Sequence, residues 1–478
     1  MTLPETAFIR PDGSNREAVR RLLHQAVDLL VEAMATADWR FPLPDPVGMA
    51  PWPGVPEQSV ADEDVLAEVR SHRRQAMNAA HPGYIGHMDS IPSTVSIIGD
   101  MVAAAVNSNL LRVEMSPVFS RLEPQVMAAL AKAFGLGDRA GGVLVSGGSL
   151  ANLQALAVAR NVKLNALKTG VAGTSPPVLF ASEVAHTSLQ KAAMMLGLGT
   201  DGVIPLSTNG DSQIEPSDLA HQIEQARQRG QHPFAVVATA GTTVTGSIDP
   251  IPEIAQVAQA HDLWLHVDAA YGGAVVFSER YRHQLQGIEQ ADSVTFNPQK
   301  WLYVAKTCAS ILFKDFQILQ HHFRVAAPYM GDNIGDNDAL LNLGEFTVQG
   351  TRHADILKLW LSLQHIGKAG YSHIIDHNYA LAEYFTTQVQ QRSFLTLAGQ
   401  PQMNIICFRG TPFQLSQERW DAWNQALQQY LLTEGHTFLS LPTYRGQRWL
   451  KAVLLNPYTT TEHLDNLFHG IDGFASRL

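Results

Sequence analysis

Cysteine is almost missing from this chain: Cys308 and Cys407 are the only two in 478 residues. They cannot build a disulfide framework and lack metal-ligand spacing, which points to a reducing compartment, with the cytoplasm as the expected location. Basic residues are also short, since 34 Lys and Arg face 44 Asp and Glu for a net charge of −10. That balance disfavours nucleic acid or an anionic membrane as partner, though a local basic pocket can still hold a phosphate. Long apolar runs are absent. The stretch Ile97 to Val106 is broken by Asp100, and Met1-Thr-Leu-Pro-Glu-Thr has no basic segment ahead of an apolar core, so neither a membrane span nor a signal peptide is expected. No His-Glu-x-x-His pattern accompanies His321 and His322, which as neighbours would point apart on a helix, so no metal is expected.

What is present is enough apolar material, 45% of residues, for a large core in more than one domain. Ser14 and Glu17 form a capping-box pattern ahead of Val19, Leu22, Leu23, Val27, Leu30 and Met34, whose spacing predicts an amphipathic helix. Its apolar face can cover its own core or a second subunit. Prolines 42, 44, 46, 51, 53 and 56 then make an extended connector, which closes a first segment at residues 1–75. Short β-rich runs alternate with helical stretches beyond it: Val143-Leu-Val, Val178-Leu-Phe, Ala235-Val-Val-Ala-Thr, Trp264-Leu-His-Val, Ser293-Val-Thr-Phe and Ser310-Ile-Leu-Phe. Runs apolar on both faces predict an α/β domain over residues 76–364 with a mainly parallel sheet, and active residues at the strands' carboxyl ends. Residues 365–478 read as a smaller α+β domain.

Those strand ends carry chemistry. Gly147-Gly-Ser-Leu-Ala-Asn152 follows one strand and opens a helix, where Gly148 and Ser149 can cradle a phosphate at the helix N-terminus. Taken alone, it reads sooner as an ordinary glycine turn with a serine cap. The Gly197-x-Gly199-x-x-Gly202 match opens no helix after a strand, which rejects it as a dinucleotide site. His186 follows the second run and Thr243 the third, each unremarkable alone as a structural histidine or a polar turn. Asp268 ends His266-Val-Asp, and Lys300 follows the next strand in Asn297-Pro-Gln-Lys-Trp. An aspartate and a lysine so placed can hold opposite ends of pyridoxal 5'-phosphate. The lysine amine would form a Schiff base with the aldehyde, while the carboxylate keeps the pyridine nitrogen protonated.

With His81-Pro, Glu114-Met-Ser-Pro-Val-Phe, Val145-Ser-Gly-Gly-Ser, His266-Val-Asp-Ala-Ala-Tyr-Gly-Gly and Asn297-Pro-Gln-Lys-Trp, residues 75 to 370 resemble the pyridoxal-phosphate-dependent amino-acid decarboxylases of group II. That group contains the aromatic-amino-acid, histidine, glutamate and diaminobutyrate enzymes. The resemblance implies the aspartate-aminotransferase-like fold type I, with a seven-stranded sheet between helices, and a homodimer whose active sites lie at the interface. It casts Lys300 as the cofactor lysine, Asp268 as the pyridinium partner, His186 as the ring-stacking histidine, and Gly148 with Ser149 as the phosphate cradle. Thr243, Ala270 and Asn297 join the cofactor-binding set. Ser90 aligns with a hydroxyl residue near the substrate, and Tyr329, before the Gly- and Asp-rich loop 331–337, with the tyrosine that protonates the α-carbon after carbon dioxide leaves.

Some positions depart from that pattern. Gln299 stands where many relatives have histidine, and Lys451 where they commonly have arginine, replacing a bidentate clamp with a point charge. Asn109 and Leu111 occupy substrate-pocket positions, and Asn107-Ser-Asn109 looks more like the glutamate branch. Asn109 and the nearby Asp89 make L-2,4-diaminobutyrate the first expected substrate, although Asp89 reads equally as a solvated loop carboxylate. Aspartate, glutamate and aromatic amino acids stay open. So do another lyase or aminotransferase reaction and, in a different class, a non-catalytic dimeric binding protein, against which intact Lys300, Asp268 and Tyr329 argue.

Overall fold

The computed structural model describes residues 3–44, 54–325 and 341–478. Tyr329, loop 331–337 and Pro46, Pro51 and Pro53 of the connector lie outside the described residues. Two compact units make up the chain, each assembled from stretches distant in sequence.

The first unit comprises Met1–His87, Ala422–Ser440 and Asn456–Leu478. It contains α1 (Arg16–Ala35), α2 (Asp62–Gln75) and a helix at Thr461–Ala475. The capping box expected from Ser14 and Glu17 does not form: Asn15 is the N-cap and makes no side-chain cap bond. Its amide instead donates to the carbonyls of Glu5 and Phe8 at 2.6 and 2.7 Å and accepts from the Arg10 N–H at 3.0 Å. Asn15 therefore folds the preceding loop rather than finishing the helix. A capping box does form in this unit between Thr460 and His463. Of the expected apolar stripe on α1, Val19 is buried, whereas Leu23, Val27 and Leu30 are 50%, 36% and 40% exposed.

The second unit, Met88–Asp421 with Leu441–Leu455, holds the large sheet. Its strands are β1 (Gly141–Val145), β2 (Pro177–Ser182), β3 (Val203–Leu206), β4 (His232–Thr239), β5 (Trp264–Asp268), β6 (Ser293–Phe296) and β7 (Ala309–Phe313). They lie in the order β1-β7-β6-β5-β4-β2-β3. β7 pairs antiparallel with both neighbours and the remaining pairings are parallel, so six strands point their carboxyl ends to one edge. Alternate residues feed two apolar layers. Val143, Val145, Leu179, Ala181, Ala235, Val237, Ile311 and Phe313 pack with α5 (Gly148–Leu164) and α6 (Ser188–Met195). Leu144, Phe180, Val236, Leu265 and Leu312 join α4 (Phe119–Ala133), α7 (Pro216–Gln228) and α8 (Ile251–Ala260) on the other side. Burial on both faces is why these strands read as continuous apolar runs.

Six of the seven strands announce themselves in this way; β3 does not. It is an edge strand of four residues with Pro205 outward, tolerated there because no further strand needs its N–H. A second, antiparallel sheet joins Leu395–Leu397, Ile405–Gly410 and Leu450–Val453. The long helix Ile356–Gln390 breaks at Gly367, whose φ of 68° and ψ of 167° leave the helical region.

The carboxyl end of β4 is pinned by a buried acid. Asp249 accepts the N–H groups of Thr239 and Ile214 at 2.7 and 2.8 Å, and its complete burial pushes its pKa up to about 7 despite both bonds. A carboxyl raised in the folded state favours folding less as pH climbs from the unfolded value toward 7. Asp249→Asn, which cannot ionise, should therefore gain on the native chain between pH 5 and 8, by up to a few kcal/mol. Thermal unfolding of both proteins at the two pH values measures that gap; a gap independent of pH would contradict the assignment.

Candidate active site

A cavity of about 410 Å³ opens at the carboxyl edge of the sheet, lined among others by Gly148, Ser149, His186, Thr243, Asp268, Ala270, Asn297, Gln299 and Lys300. All come from strand ends of the second unit. β1 turns through Ser146 and Gly147 into α5, whose N-terminus has no side-chain cap, so its first-turn N–H groups are available to an anion. Gly148 packs closely on Asn297: a Cβ there would lie 2.7 Å from Asn297 Nδ2 and would push that amide aside.

Asp268 ends β5 with Oδ1 accepting from the Ala270 N–H at 3.1 Å and Oδ2 from Asn152 Nδ2 at 2.8 Å. Its carboxylate is held at both oxygens before any ligand is considered. Lys300 follows β6 in a turn closed by its N–H on the Asn297 carbonyl at 3.0 Å, and its Nζ lies 3.8 Å from Met88 Sδ. Burial lowers the lysine pKa, against the raising effects of Asp268 and Asp89. A greater share of nucleophilic free amine at neutral pH follows. His186 lies on the cavity wall, with Nδ1 accepting from the Ser188 N–H at 3.2 Å. Partial burial lowers its pKa and favours the neutral ring.

Other expected residues are placed differently. Ser90 Oγ donates to the Lys300 carbonyl at 2.8 Å, bracing the lysine turn from behind. Gln299 reaches the wall, yet its Oε1 accepts the Cys308 N–H at 2.6 Å. Lys451 is buried with Nζ on the Thr243 carbonyl at 3.2 Å; burial is the main cause that brings its pKa to about 8, with Lys300 adding to it. Asn109 spends its side chain on local bonds to Leu111 N, Arg352 N and Thr351 Oγ1, and neither it nor Leu111 lines this cavity. Asp89 is bonded to Lys306. Sequence reasoning missed Asn152, Ser188, Thr239 and Tyr271, which also line the wall. Asn152 was findable, since it falls one helical turn after Gly148 and so faces the same way.

The wall has vacancies in its bonding. Thr239 Oγ1 and Asn297 Oδ1 are buried with no hydrogen-bond partner among the described residues. An aldehyde-bearing pyridine with a phosphate suits this set: an amine and a carboxylate within one cavity, a neutral imidazole face, a glycine-lined helix N-terminus and unpaired acceptor and hydroxyl groups.

Comparison with known proteins agrees. The family described as "Pyridoxal-dependent decarboxylase conserved domain" matches residues 53–411. The acidic amino acid decarboxylase GADL1 of Mus musculus is 32% identical over 408 residues, covering 83% of this chain and 74% of the relative. The apo crystal structure of mouse CSAD is 28% identical, covers 96% of this chain and all of its own, and superposes with a TM-score of 0.89. The glutamate decarboxylase domain of a diaminobutyrate-pyruvate transaminase and L-2,4-diaminobutyrate decarboxylase from Vibrio parahaemolyticus is 25% identical over 99% of both chains, with a TM-score of 0.84.

Lys300→Ala should leave a folded chain that no longer retains pyridoxal phosphate through dialysis and shows no visible cofactor absorbance. Absorbance spectra of the dialysed native and variant proteins check this, and a retained visible band would remove Lys300 from its role.

Proposed function

This chain belongs to the pyridoxal-dependent decarboxylase family, and from that premise we propose that the amino acid it converts to a primary amine and carbon dioxide has an acidic side chain, aspartate or glutamate. The balance of charge around Lys300 carries the choice. Asp89, the carboxylate that favoured diaminobutyrate in the sequence, is already paired with Lys306, and Lys451 adds an ammonium whose charge reaches Lys300. The surplus is positive, which suits an anionic side chain. The acidic specificity named for the mouse relative supports the same reading.

When bound, pyridoxal phosphate supplies a protonated ring that accepts electrons from the α-carbon as the carboxylate departs. The rest falls to side chains. Lys300 would hold the cofactor through its amine until a substrate amine takes its place. Asp268 would keep a proton on the ring nitrogen, His186 would offer a neutral imidazole, and Gly148 with Ser149, Thr243, Ala270 and Asn297 would hold the remaining polar groups. Ser90 keeps the Lys300 turn in place. Tyr329, whose part rests on sequence resemblance, returns a proton to the α-carbon, so that the carboxylate lost as carbon dioxide is replaced by hydrogen.

A homodimer completes this reading. Ile98, Met101, Val102 and Val106 make an exposed apolar stripe at helical spacing on α3 (Thr94–Val106), and Asn109 and Leu111 follow directly. Such a face suits a second copy, with Asn109 and Leu111 serving the partner's substrate pocket. Both cysteines are buried and free, which supports the cytoplasm as the location; among the described residues no helix is long and apolar enough to cross a membrane.

Incubation with aspartate, glutamate, diaminobutyrate, pyruvate-coupled controls and tryptophan, with carbon dioxide and amine quantified, tests the assignment. Release from the acidic substrates is expected, and preference for diaminobutyrate would overturn it. Lys451 loses its charge as pH rises through about 8, so KM for the acidic substrate should climb above that pH in the native enzyme but not in Lys451→Met. Tyr329→Phe should retain cofactor and slow amine formation by about ten-fold or more. Sedimentation should return twice the 52.3 kDa chain mass.

A further inference from the structure

On the side of Asp268 that faces α5, β5 and β6 carry a polar ladder inside an otherwise apolar layer. His266 and Asp268 are two apart on β5, and their register partners Ser293 and Thr295 are two apart on β6, so the four side chains share one face. Asn152 of α5 descends onto that face. It is 1% exposed, and His266, Ser293 and Thr295 are wholly buried.

Chemistry allows one direction through these groups. An ionised Asp268 can only accept, so the amide end that faces Oδ2 at 2.8 Å is Nδ2, which also reaches Ser188 Oγ at 2.9 Å. The amide oxygen then faces Thr295 Oγ1 at 2.7 Å and His266 Nε2 at 3.1 Å, and both must donate. His266 thus carries its proton on Nε2 and accepts at Nδ1 from Ser293 Oγ at 2.9 Å. Ser293 in turn accepts the Trp264 indole N–H at 2.9 Å. Burial, outweighing the Asp268 charge, takes the imidazole down to about 4, so the ring stays neutral as this pattern demands. Reversing the Asn152 amide would set an oxygen against the carboxylate and leave Thr295 and His266 without an acceptor.

We propose that Asn152 and His266, with Thr295, are positioning residues for the decarboxylation, forming a one-way hydrogen-bond chain that holds fixed the Asp268 carboxylate that would serve the ring nitrogen of the cofactor. The inference rests on pyridoxal phosphate occupying the cavity. None of the three needs to touch the substrate; they act through Asp268.

The test compares cofactor-loaded native enzyme with Asn152→Leu, His266→Phe, Thr295→Val and Thr295→Ser. In Asn152→Leu and His266→Phe, kcat should fall on the order of 10- to 100-fold with KM within about three-fold. The visible band of the bound cofactor should shift, and loss of cofactor on dialysis should quicken. Thr295→Val should move the band and kcat in the same direction, while Thr295→Ser, which keeps the hydroxyl donor, should match the native enzyme. Thermal unfolding of the apo proteins separates these effects from folding; should Asn152→Leu not fold, His266→Phe and the Thr295 pair decide. Native-like band, cofactor retention and kcat in His266→Phe and Thr295→Val would overturn the proposal. A native enzyme with no visible band would instead remove the cofactor assignment beneath it.

Discussion

A sheet covered on both faces can present charge cheaply only where its strands end, because a polar group between apolar layers costs free energy unless every bond is met. Six of the seven strands here end on one edge, and the cavity lies at that edge. Gly148, His186, Thr243, Asp268 and Lys300 lie at or just after the carboxyl ends of five strands, β1, β2, β4, β5 and β6. Their meeting in space follows from chain direction, not from closeness in sequence. Parallel topology is thus the constraint from which the site derives.

Within that edge, electrostatics divides the work. Asp268 ends β5 and Lys300 lies in the turn after the neighbouring β6, and the carboxylate partly offsets the desolvation that lowers the lysine pKa. The result is an amine restrained near a fixed negative charge. The Asn152 and Ala270 donors keep the carboxylate where β5 delivers it. Farther out, Lys306 cancels Asp89 and Lys451 remains, so the same strand-end geometry that prepares a cofactor site biases what can approach it.

Much of this was legible in the residues. Doubly buried strands advertise themselves as apolar runs, and polar residues placed just after such runs stand out against them. β3 was hidden because Pro205 breaks its pattern, and only its edge position makes that proline acceptable. The polar face of β5 and β6 was hidden for the opposite reason: His266, Ser293 and Thr295 look like interruptions until α5 brings Asn152 over them. Ser14 and Glu17 had capping-box spacing, but Asn15 had more bonds to make with the loop before it. Asp89 shows the limit most clearly, since a carboxylate's meaning for a substrate depends on a lysine 217 positions away.

The central claim is that one amine, Lys300, holds the cofactor at the carboxyl edge of the sheet. Reduction of the cofactor-loaded protein with borohydride, followed by peptide mass mapping, tests it most directly. The account predicts a stable pyridoxyl adduct on the peptide containing Lys300. An unmodified Lys300, with the adduct on Lys306, Lys451 or another lysine, would contradict it.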